Sequence, residues 1–425
     1  NGRVTVPETA VRIQKDVPAV DGIVVPSQEF SFTVTVEDGR TRTDTLPVYE
    51  RQGDGWIQKE TQDVVWVDGK ATVKLKAGQS VLVEMAPGVA WSAVEKDPSS
   101  VEGKQTGFAF EKVDGPVGAT VDGANRSIAG TSVENTVQDV TFSNVYTPEP
   151  VSLSIPASKV LVGRDWTADD AFTLKIEPVD GAPMADKDGK PIASEVTVNK
   201  DKQSAEFGKI SFDKVGKYTY KVTEVNGGLG GITYDSTVYT VTVEVTHDAE
   251  NRRLTATTPF TFTKGEGESA EPVDGIVFTN TYSVRPVTLP VTDRVKVSKE
   301  LSGRKLGEGE FEFKLYDSED NEIATGKNAA DGTVTFDRDL TFSAAGEYTY
   351  TVREVKGNLG GVTYDETVYS IVLTVTDNGN GTLSVSRKEG TPESVTFNNS
   401  YTAAEVTDTV AVAKTLEGRD MAEGE

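Results

Sequence analysis

The chain of 425 residues has no cysteine and a single histidine. A disulfide framework is therefore excluded, and so is a zinc site built from cysteine and histidine. No run of 18 apolar residues occurs, so no segment is long enough to span a membrane as a helix. The chain also begins at NGRVTVPETA without an initiator methionine or a signal peptide. We expect it to be an excised piece of a longer protein.

Positive charge is scarce. There are 43 lysines and arginines against 67 aspartates and glutamates, which gives a formal net charge of −24. An acidic surface repels phosphate backbones and anionic membranes, so we predict no nucleic-acid partner and no membrane insertion of this segment. The glycine run NGGLGG follows a strand pattern but precedes no helix pattern, so a nucleotide loop is not indicated. No cofactor, metal or small-molecule substrate is predicted.

What the chain does contain is alternating strand sequence. Tyr218, Tyr220 and Val222 fall on one face of a period-two pattern. Asn-Gly at 380–381 and Asp-Gly at 188–189 are hairpin signals between such runs. Several short strands per hundred residues, separated by turns, predict an all-β chain of immunoglobulin-like β-sandwich domains.

The chain repeats itself over whole domains. Shifting it by 130 residues aligns the 31 residues from Gly216 with those from Gly346, and 19 of them are identical without a gap. This similarity predicts homologous domains arranged in a row as an elongated rod. The predicted domains are 1–148, which is more divergent, then 149–284 and 285–403, followed by 404–425 as the start of a fourth repeat. In that last segment VAVAKTLEGRD aligns Lys414 with Lys159.

Three residue types recur in the same order in each repeat: a lysine near the start, a glutamate in the middle and an asparagine near the end. The contexts are SKVLVGR, YKVTEV and FTNTY in the second repeat and SKELSGR, YTVREV and FNNSY in the third. These residues are Lys159, Glu224 and Asn280 in the second repeat, and Lys299, Glu354 and Asn399 in the third.

The divergent first repeat offers a matching set. It ends in FSNVY, which places Asn144 where FTNTY places Asn280. The segment WSAVEKD places Glu95 as YKVTEV places Glu224. We select Lys15 as its lysine, because apolar residues alternate up to it in VRIQKDV and it lies near the start of the repeat.

Buried together, these residues predict a self-formed amide bond between side chains. Burial lowers the pKa of a lysine and frees its amine as a nucleophile, and burial raises the pKa of a glutamate. A protonated glutamate can polarise the asparagine carbonyl and pass a proton to the departing ammonia. For any one repeat, a solvated edge lysine, an exposed glutamate and a strand-capping asparagine form the simpler interpretation, and the threefold recurrence favours the cross-link.

The three motifs resemble the pilin isopeptide-linkage domains of Gram-positive surface proteins, which are related to the collagen-adhesin B-type fold. The resemblance implies a Lys–Asn isopeptide bond between the first and last strands of each domain. It implies that the lysines are nucleophiles, the asparagines electrophiles, and the glutamates proton shuttles in a single-turnover reaction, so the protein is not an enzyme. It also implies a stalk or pilus-shaft role outside the cell, in a pilus or anchored to the cell wall through a segment outside this chain, with neighbouring pilin subunits as partners.

A binding module is the alternative function. Trp56, Trp66 and Trp91 all fall in the first repeat, where aromatic side chains could contact a host protein or glycan. Tryptophans at strand positions also fill cores, so the exposure of these side chains discriminates between the two interpretations.

Overall fold

The computed structural model describes residues 9–257, 260–265 and 267–424. Strands account for nearly all of its regular structure, and the predicted all-β fold of β-sandwiches is confirmed. No helix in these residues is long and apolar enough to cross a membrane. The chain divides into two compact units, one from 1–160, 166–225 and 235–278, the other from 161–165, 226–234 and 279–425. The bounds of the four predicted segments and the rod arrangement stay predictions.

The larger unit begins with a two-layered sandwich. Its strands are β1 (Ala10–Asp16), β2 (Phe30–Val36), β3 (Arg42–Gln52), β4 (Gly55–Trp66), β5 (Lys70–Leu75), β6 (Gln79–Glu84), β7 (Ala90–Glu95), β8 (Ser100–Val101), β9 (Lys104–Gln105), β10 (Phe108–Asp114), β11 (Thr120–Asp122), β12 (Ser127–Thr131) and β13 (Val137–Tyr146). One sheet has the order β10-β13-β1-β6-β3-β4 and the other β11-β12-β7-β2-β5, while β8 and β9 form a small hairpin. The first and last strands, β1 and β13, are parallel neighbours.

Alternation along the strands creates the core of this sandwich. In β2 and β5, every second residue is buried, as period two requires of strands with one face inward. Phe32 and Val73 from one sheet and Phe142 from the other have no exposed surface. A polar residue on these inward faces therefore lies in an apolar interior.

The next strands form a second sandwich. They are β14 (Val151–Leu153), β15 (Pro156–Val162), β16 (Ala171–Val179), β17 (Glu195–Asn199), β18 (Ser204–Glu206), β19 (Ile210–Phe212), β20 (Gly216–Val225), β21 (Ile232–Thr233), β22 (Tyr239–Asp248), β23 (Arg253–Ala256), β24 (Thr261–Lys264), β25 (Glu271–Val273) and β26 (Val277–Tyr282), with a 3-10 turn at Gly267–Ser269. One sheet has the order β18-β15-β26-β21. The other has the order β17-β16-β20-β22-β24-β25, with β23 paired to β22, and β14 pairs with β19.

The smaller unit contains the third sandwich. Its strands are β27 (Val287–Pro290), β28 (Lys296–Ser302), β29 (Glu312–Tyr316), β30 (Glu322–Asn328), β31 (Val334–Phe336), β32 (Asp339–Phe342), β33 (Gly346–Glu354), β34 (Val362–Thr363), β35 (Val368–Asp377), β36 (Leu383–Arg387) and β37 (Ser394–Tyr401), with a helical turn α1 (Val291–Arg294). Its sheets have the orders β28-β37-β34 and β31-β30-β29-β33-β35-β36, and β27 pairs with β32. The first long strand, β28, again runs parallel to the last, β37.

The proline-containing segments that follow residues 148 and 284, the ends of the first two predicted domains, have regular structure. Strand β14 pairs with β19 and strand β27 with β32, so both segments add strands to the sandwiches that follow them. In LPVTD, Leu289 and Pro290 belong to β27, while Val291 is fully buried at the start of α1. The apolar residues Leu289 and Val291 therefore pack into the third core.

After Tyr401 the described chain contains no strand. Residues 402–424 are exposed, and Lys414 is among them. The start of a fourth repeat stays a prediction from sequence.

Candidate cross-linking sites

The first and last strands of two sandwiches place the lysine and asparagine side by side. In the first sandwich Lys15 on β1 is level with Phe142 on β13, and in the third Lys299 on β28 is level with Phe397 on β37. The asparagine follows two residues later in each case. Because residues two apart share a strand face, the lysine and asparagine are diagonal neighbours facing the core.

In the first site the glutamate arrives from the opposite sheet. Glu95 ends β7, and its Oε1 lies 3.1 Å from Lys15 Nζ; neither side chain has exposed surface. The same Oε1 accepts a hydrogen bond from Asn144 Nδ2 at 2.8 Å. Lys15 Nζ also donates to the Phe142 carbonyl at 3.1 Å. One carboxylate oxygen therefore contacts both the amine and the amide.

The third site brings the same three residue types together, but through both oxygens of its carboxylate. Glu354 at the end of β33 places Oε2 at 2.7 Å from Lys299 Nζ, and its Oε1 accepts from Asn399 Nδ2 at 2.5 Å. Both members of the ion pair have fully buried side chains. The lysine and asparagine thus hydrogen-bond to the two oxygens of one carboxylate.

The second sandwich holds the corresponding residues on the corresponding strands. Lys159 on β15 lies with Nζ 3.0 Å from Glu224 Oε2, again with both side chains fully buried. Glu224 Oε2 also accepts a hydrogen bond from the Asp235 backbone N–H at 3.3 Å. Asn280, on β26, has no exposed surface, and neither has Phe278.

Burial shifts the pKa values of these groups in the direction that favours their neutral forms. Desolvation lowers the pKa of Lys15 to about 8, although the nearby Glu95 acts in the opposite direction. Desolvation likewise lowers the pKa values of Lys159 and Lys299. It raises the pKa of Glu95, and also that of Glu354. A neutral lysine amine can act as the nucleophile toward the asparagine. A neutral glutamic acid beside it can handle the protons of that reaction.

An aromatic ring covers each lysine. The Nζ atoms of Lys15 and Lys299 lie 4.7 Å from the ring centroids of Phe30 and Phe311. The Lys159 Nζ lies 5.1 Å from the corresponding centroid in Phe172. The sequence analysis missed these rings, although FSF, AFT and FEF each follow their lysine by 12 to 15 residues. They exclude water from the amine and limit the directions in which it can approach a partner.

The third site adds a donor that the sequence analysis also missed. The Asp365 backbone N–H donates to Asn399 Oδ1 at 2.7 Å. A donor at this oxygen stabilises the negative charge that develops there when a nucleophile attacks the amide carbon. In the first site Asn144 Oδ1 is buried and receives no hydrogen bond from the part of the chain that the structure describes. A shared YD sequence, at 234–235 and 364–365, was the available signal.

The lysine motifs SKVLVGR and SKELSGR both end in Gly-Arg, and the glycine of each lies against the last strand of its sandwich. Gly163 and Gly303 adopt positive φ values of 94° and 88°, and a Cβ would lie 2.2 Å from the Tyr282 carbonyl and 2.0 Å from that of Tyr401. Only glycine fits against the last strand at this distance. The arginine that follows Gly303 then lies with its guanidinium 5.0 Å from the Tyr401 ring centroid.

The tryptophans of the first repeat are mostly core residues. Trp66 is fully buried and Trp91 is 3% exposed. Trp56 is half-buried, with the Arg12 guanidinium 5.6 Å from its ring centroid. Two of the three side chains on which the binding-module alternative depends therefore have no surface to offer a ligand. Across the described residues, no cluster of three His, Cys, Asp or Glu side chains has a geometry that could hold a metal ion.

The fold and these sites define a class: tandem β-sandwiches with a lysine, a glutamate and an asparagine buried between strands. The chain belongs to the Spy0128-like isopeptide containing domain family, whose model matches residues 155–283 and 295–402. The resemblance found in the sequence is thereby confirmed. Residues 9–146 match a different model, a domain of unknown function designated DUF7601. Among curated proteins there is no match.

Solved structures with similarity to the chain include two from Streptococcus pyogenes. The major pilin protein T-13 is 17% identical and covers 60% of this chain and 99% of its own, with a TM-score of 0.24. Another S. pyogenes major pilin is 22% identical, with coverages of 59% and 98% and a TM-score of 0.24. The Bacillus anthracis TIE protein is 11% identical, with coverages of 91% and 56% and a TM-score of 0.17. Family membership rests on the family model and not on these similarities.

Proposed function

We propose that the protein is a structural segment of a stalk or pilus shaft, in which each sandwich is closed by a Lys–Asn isopeptide bond. The observation that carries the proposal is the buried contact of Lys15, Glu95 and Asn144, with the same contact at Lys299, Glu354 and Asn399. Burying a charged lysine and a charged glutamate costs several kcal/mol per ion, which their mutual attraction often repays only in part. A reaction that consumes the lysine and the asparagine gives a buried lysine and glutamate a role that stability alone does not.

The reaction follows from the geometry. The lysine Nζ lone pair attacks the asparagine Cγ, and the Cγ–Nδ2 bond then breaks. The protonated glutamate gives its proton to Nδ2, which leaves as ammonia, and takes a proton from Nζ in return. The product is a secondary amide, and the glutamate ends in the protonation state in which it began. Holding the amine and amide against one carboxylate supplies the effective concentration that an unreactive amide requires.

The roles are assigned to each repeat in turn. The nucleophiles are Lys15, Lys159 and Lys299, the electrophiles are Asn144, Asn280 and Asn399, and the proton shuttles are Glu95, Glu224 and Glu354. In the second repeat the burial of the lysine–glutamate pair and of Asn280 supports the assignment, together with its aligned motif. Each closure consumes its own residues, so the protein turns over no substrate.

A covalent bond of this kind fits a protein that carries mechanical tension outside the cell. A bond between the first and last strands lies on the line along which tension enters and leaves each sandwich. It replaces the disulfide that a chain without cysteine cannot form, and it cannot be reduced. The family membership and the pilin-like motifs support neighbouring pilin subunits as partners and a pilus or the cell wall as the location. No observation favours the adhesin alternative.

The first prediction concerns mass. We expect the intact protein, measured under denaturing conditions, to be lighter than its sequence mass by three molecules of ammonia, one for each closed bond. Substituting alanine for Asn144, Asn280 or Asn399 should each restore one ammonia. Peptide mapping should recover each lysine joined to its asparagine. An unchanged mass would overturn the isopeptide mechanism, and a deficit of two would show that one of the three assignments is wrong.

A pH dependence of stability is expected when the first bond cannot form. In an Asn144→Ala variant the Lys15–Glu95 pair stays buried, and the lysine pKa of about 8 lies below its ordinary 10.5. Between these values the unfolded chain holds the lysine proton and the folded chain does not, so stability rises with pH. The gain should approach about 3 kcal/mol in the free energy of unfolding. Urea titrations at a series of pH values measure it.

The matched control for this titration is the double variant Asn144→Ala, Lys15→Met. It retains an apolar side chain of similar length at the lysine position and removes the titrating group. Its stability should show no corresponding rise over the same interval. If both variants gained stability equally, the rise would come from other groups, and the assignment of a depressed pKa to a buried Lys15 would fail.

A further inference from the structure

A short segment after β34 contacts the third cross-linking site without supplying any of its reacting groups. Strand β34 pairs with the end of β37, and the pairing stops at Thr363, which is level with the residue after Asn399. Residues 364–367, with the sequence YDET, then lead to β35 without forming a strand. The hydrogen bonds of this YDET segment bear on how the site reacts.

Asp365 binds the last strand at two neighbouring points. The Asn398 backbone N–H donates to Asp365 Oδ2 at 2.8 Å, and the Asp365 backbone N–H donates to Asn399 Oδ1 at 2.7 Å. The first bond holds the backbone beside the reacting asparagine, and the second holds the oxygen of its side chain. Because one residue makes both bonds, fixing its carboxylate on the strand also fixes the direction of its N–H.

The carboxylate of Asp365 is held by a second residue of the segment. Thr367 donates to Asp365 Oδ1 from its backbone N–H at 3.0 Å and from its hydroxyl at 2.5 Å. Burial opposes ionisation of Asp365, but the hydrogen bonds from Thr367 and from the Asn398 N–H outweigh burial and lower the pKa of Asp365. The acceptor therefore stays ionised and fixed in place near neutral pH.

The amide of Asn399 has partners of opposite kind on its two polar atoms. Nδ2 donates to Glu354 Oε1 at 2.5 Å, while Oδ1 accepts from the Asp365 N–H. Turning the amide by half a rotation would place oxygen against carboxylate and NH₂ against N–H, and both hydrogen bonds would be lost. The two contacts together therefore fix the plane of the amide, and with it the face that Lys299 can attack.

The segment also supports the surroundings of the amine. The Tyr364 ring centroid lies 5.8 Å from that of Phe311, whose ring covers Lys299 Nζ at 4.7 Å. Tyr364 Oη accepts a hydrogen bond from the Leu359 backbone N–H at 3.1 Å, which holds the tyrosine in place. Residues next to each other in the chain thus contact the amide on one side and the cover of the amine on the other.

The first site provides the comparison. Asn144 Nδ2 donates to Glu95, but Asn144 Oδ1 is buried and receives no hydrogen bond from the part of the chain that the structure describes. Strand β10 lies along this edge, with Phe110 level with Asn144, and the first repeat contains no YD sequence. Only one of the two amide atoms is held there.

The second repeat carries the segment as YDST. The Thr237 N–H donates to Asp235 Oδ1 at 2.9 Å, as Thr367 does to Asp365. The Asp235 N–H donates to Glu224 Oε2 at 3.3 Å. The segment therefore reaches the reacting groups in this repeat too, here through the glutamate.

We propose that Asp365 is a positioning residue for the third bond, which orients the amide of Asn399 toward the attacking Lys299. This inference rests on the proposed isopeptide function and deepens it. Asp365 exchanges no proton with the reacting atoms; it determines how often they meet in the reactive geometry. Its removal therefore slows closure of the third bond and leaves the proton transfers to Glu354.

The rate of closure tests the proposal. The full chain is made by cell-free synthesis, synthesis is stopped, and the loss of ammonia is followed by intact mass, with peptide mapping of the Lys299–Asn399 pair. We expect Asp365→Ala to lower the rate constant of this closure by about 10- to 100-fold, while the other two bonds close at unchanged rates. Asp365→Asn keeps an acceptor for the Asn398 N–H and removes the charge, so it should recover most of the rate.

Two matched variants separate positioning from stability. Glu366→Ala removes the exposed acid next to Asp365 and should leave the rate unchanged. Val395→Ala truncates a buried side chain of β37 four residues before Asn399, and urea titration in an Asn399→Ala background gives the stability that each substitution costs.

The proposal is overturned if Val395→Ala slows closure as much as Asp365→Ala does at an equal loss of stability, because Asp365 would then act only through folding. It is also overturned if Asp365→Asn closes as slowly as Asp365→Ala, because the charge and not the orientation would then matter. Should Asp365→Ala not fold, Asp365→Asn and Thr367→Val, which removes one donor to the carboxylate, carry the same comparison. An unmodified chain that never loses the third ammonia would instead overturn the proposed function.

Discussion

An Asn399→Ala variant is expected to unfold its third sandwich at a temperature lower by on the order of 20 °C than the unmodified protein. In the proposed cross-linked state, the bond between Lys299 and Asn399 closes a loop of about 100 residues. In the chain-entropy description of cross-links, a loop of this size stabilises the folded state by about 5 kcal/mol. Differential scanning calorimetry measures the shift, and the transitions of the other sandwiches should stay in place.

Two further variants separate the bond from the side chain that forms it. Asn398→Ala changes the exposed neighbour on the same strand and should leave the transition unmoved. Lys299→Met removes the nucleophile while Asn399 remains, and it should lower the transition by a similar amount. If Asn399→Ala shifted the transition by only a few degrees while the mass showed the third bond missing, the cross-link would contribute far less than loop closure predicts.

Much of the site was predictable because its residues occupy fixed positions in the alternating sequence pattern of their strands. Lys299, Glu354 and Asn399 recur in motifs where alternating apolar residues mark the inward face, and an inward face places a polar residue in the core. Even Lys15, in the divergent repeat, is 1% exposed and contacts Glu95 as its position in the alternation indicated. The all-β fold followed from the same pattern.

What the sequence could not supply depends on packing between segments that are distant along the chain. Strands β14 and β27 are short and lie beside prolines, so their pairing partners decide that they are strands. The ring of Phe311 covers Lys299 only because β29 crosses in the opposite sheet. The donor at Asp365 is a backbone N–H, which every residue except proline carries, so the shared YD sequence marks the position but does not identify the hydrogen bond.

The mechanical effect of the bond is the second large prediction. When the full chain is stretched between its ends, the third sandwich should add almost no length, because the cross-link joins residues near the points where tension enters and leaves. In the Asn399→Ala variant the same sandwich can unravel from 299 to 399. At about 3.4 Å for each residue, its unfolding should add a new step of roughly 340 Å, less the folded length.

Single-molecule force spectroscopy measures this step. The unmodified chain and the exposed-neighbour variant Asn398→Ala should show extension without such a step, up to forces that break the attachment. Asn144→Ala should add a step of about 440 Å, because about 129 residues separate Lys15 from Asn144. Since the two step lengths differ, each variant identifies the sandwich that it releases. A step of either length in the unmodified chain would mean that the corresponding bond does not carry the load, and the stalk function would lose its physical basis.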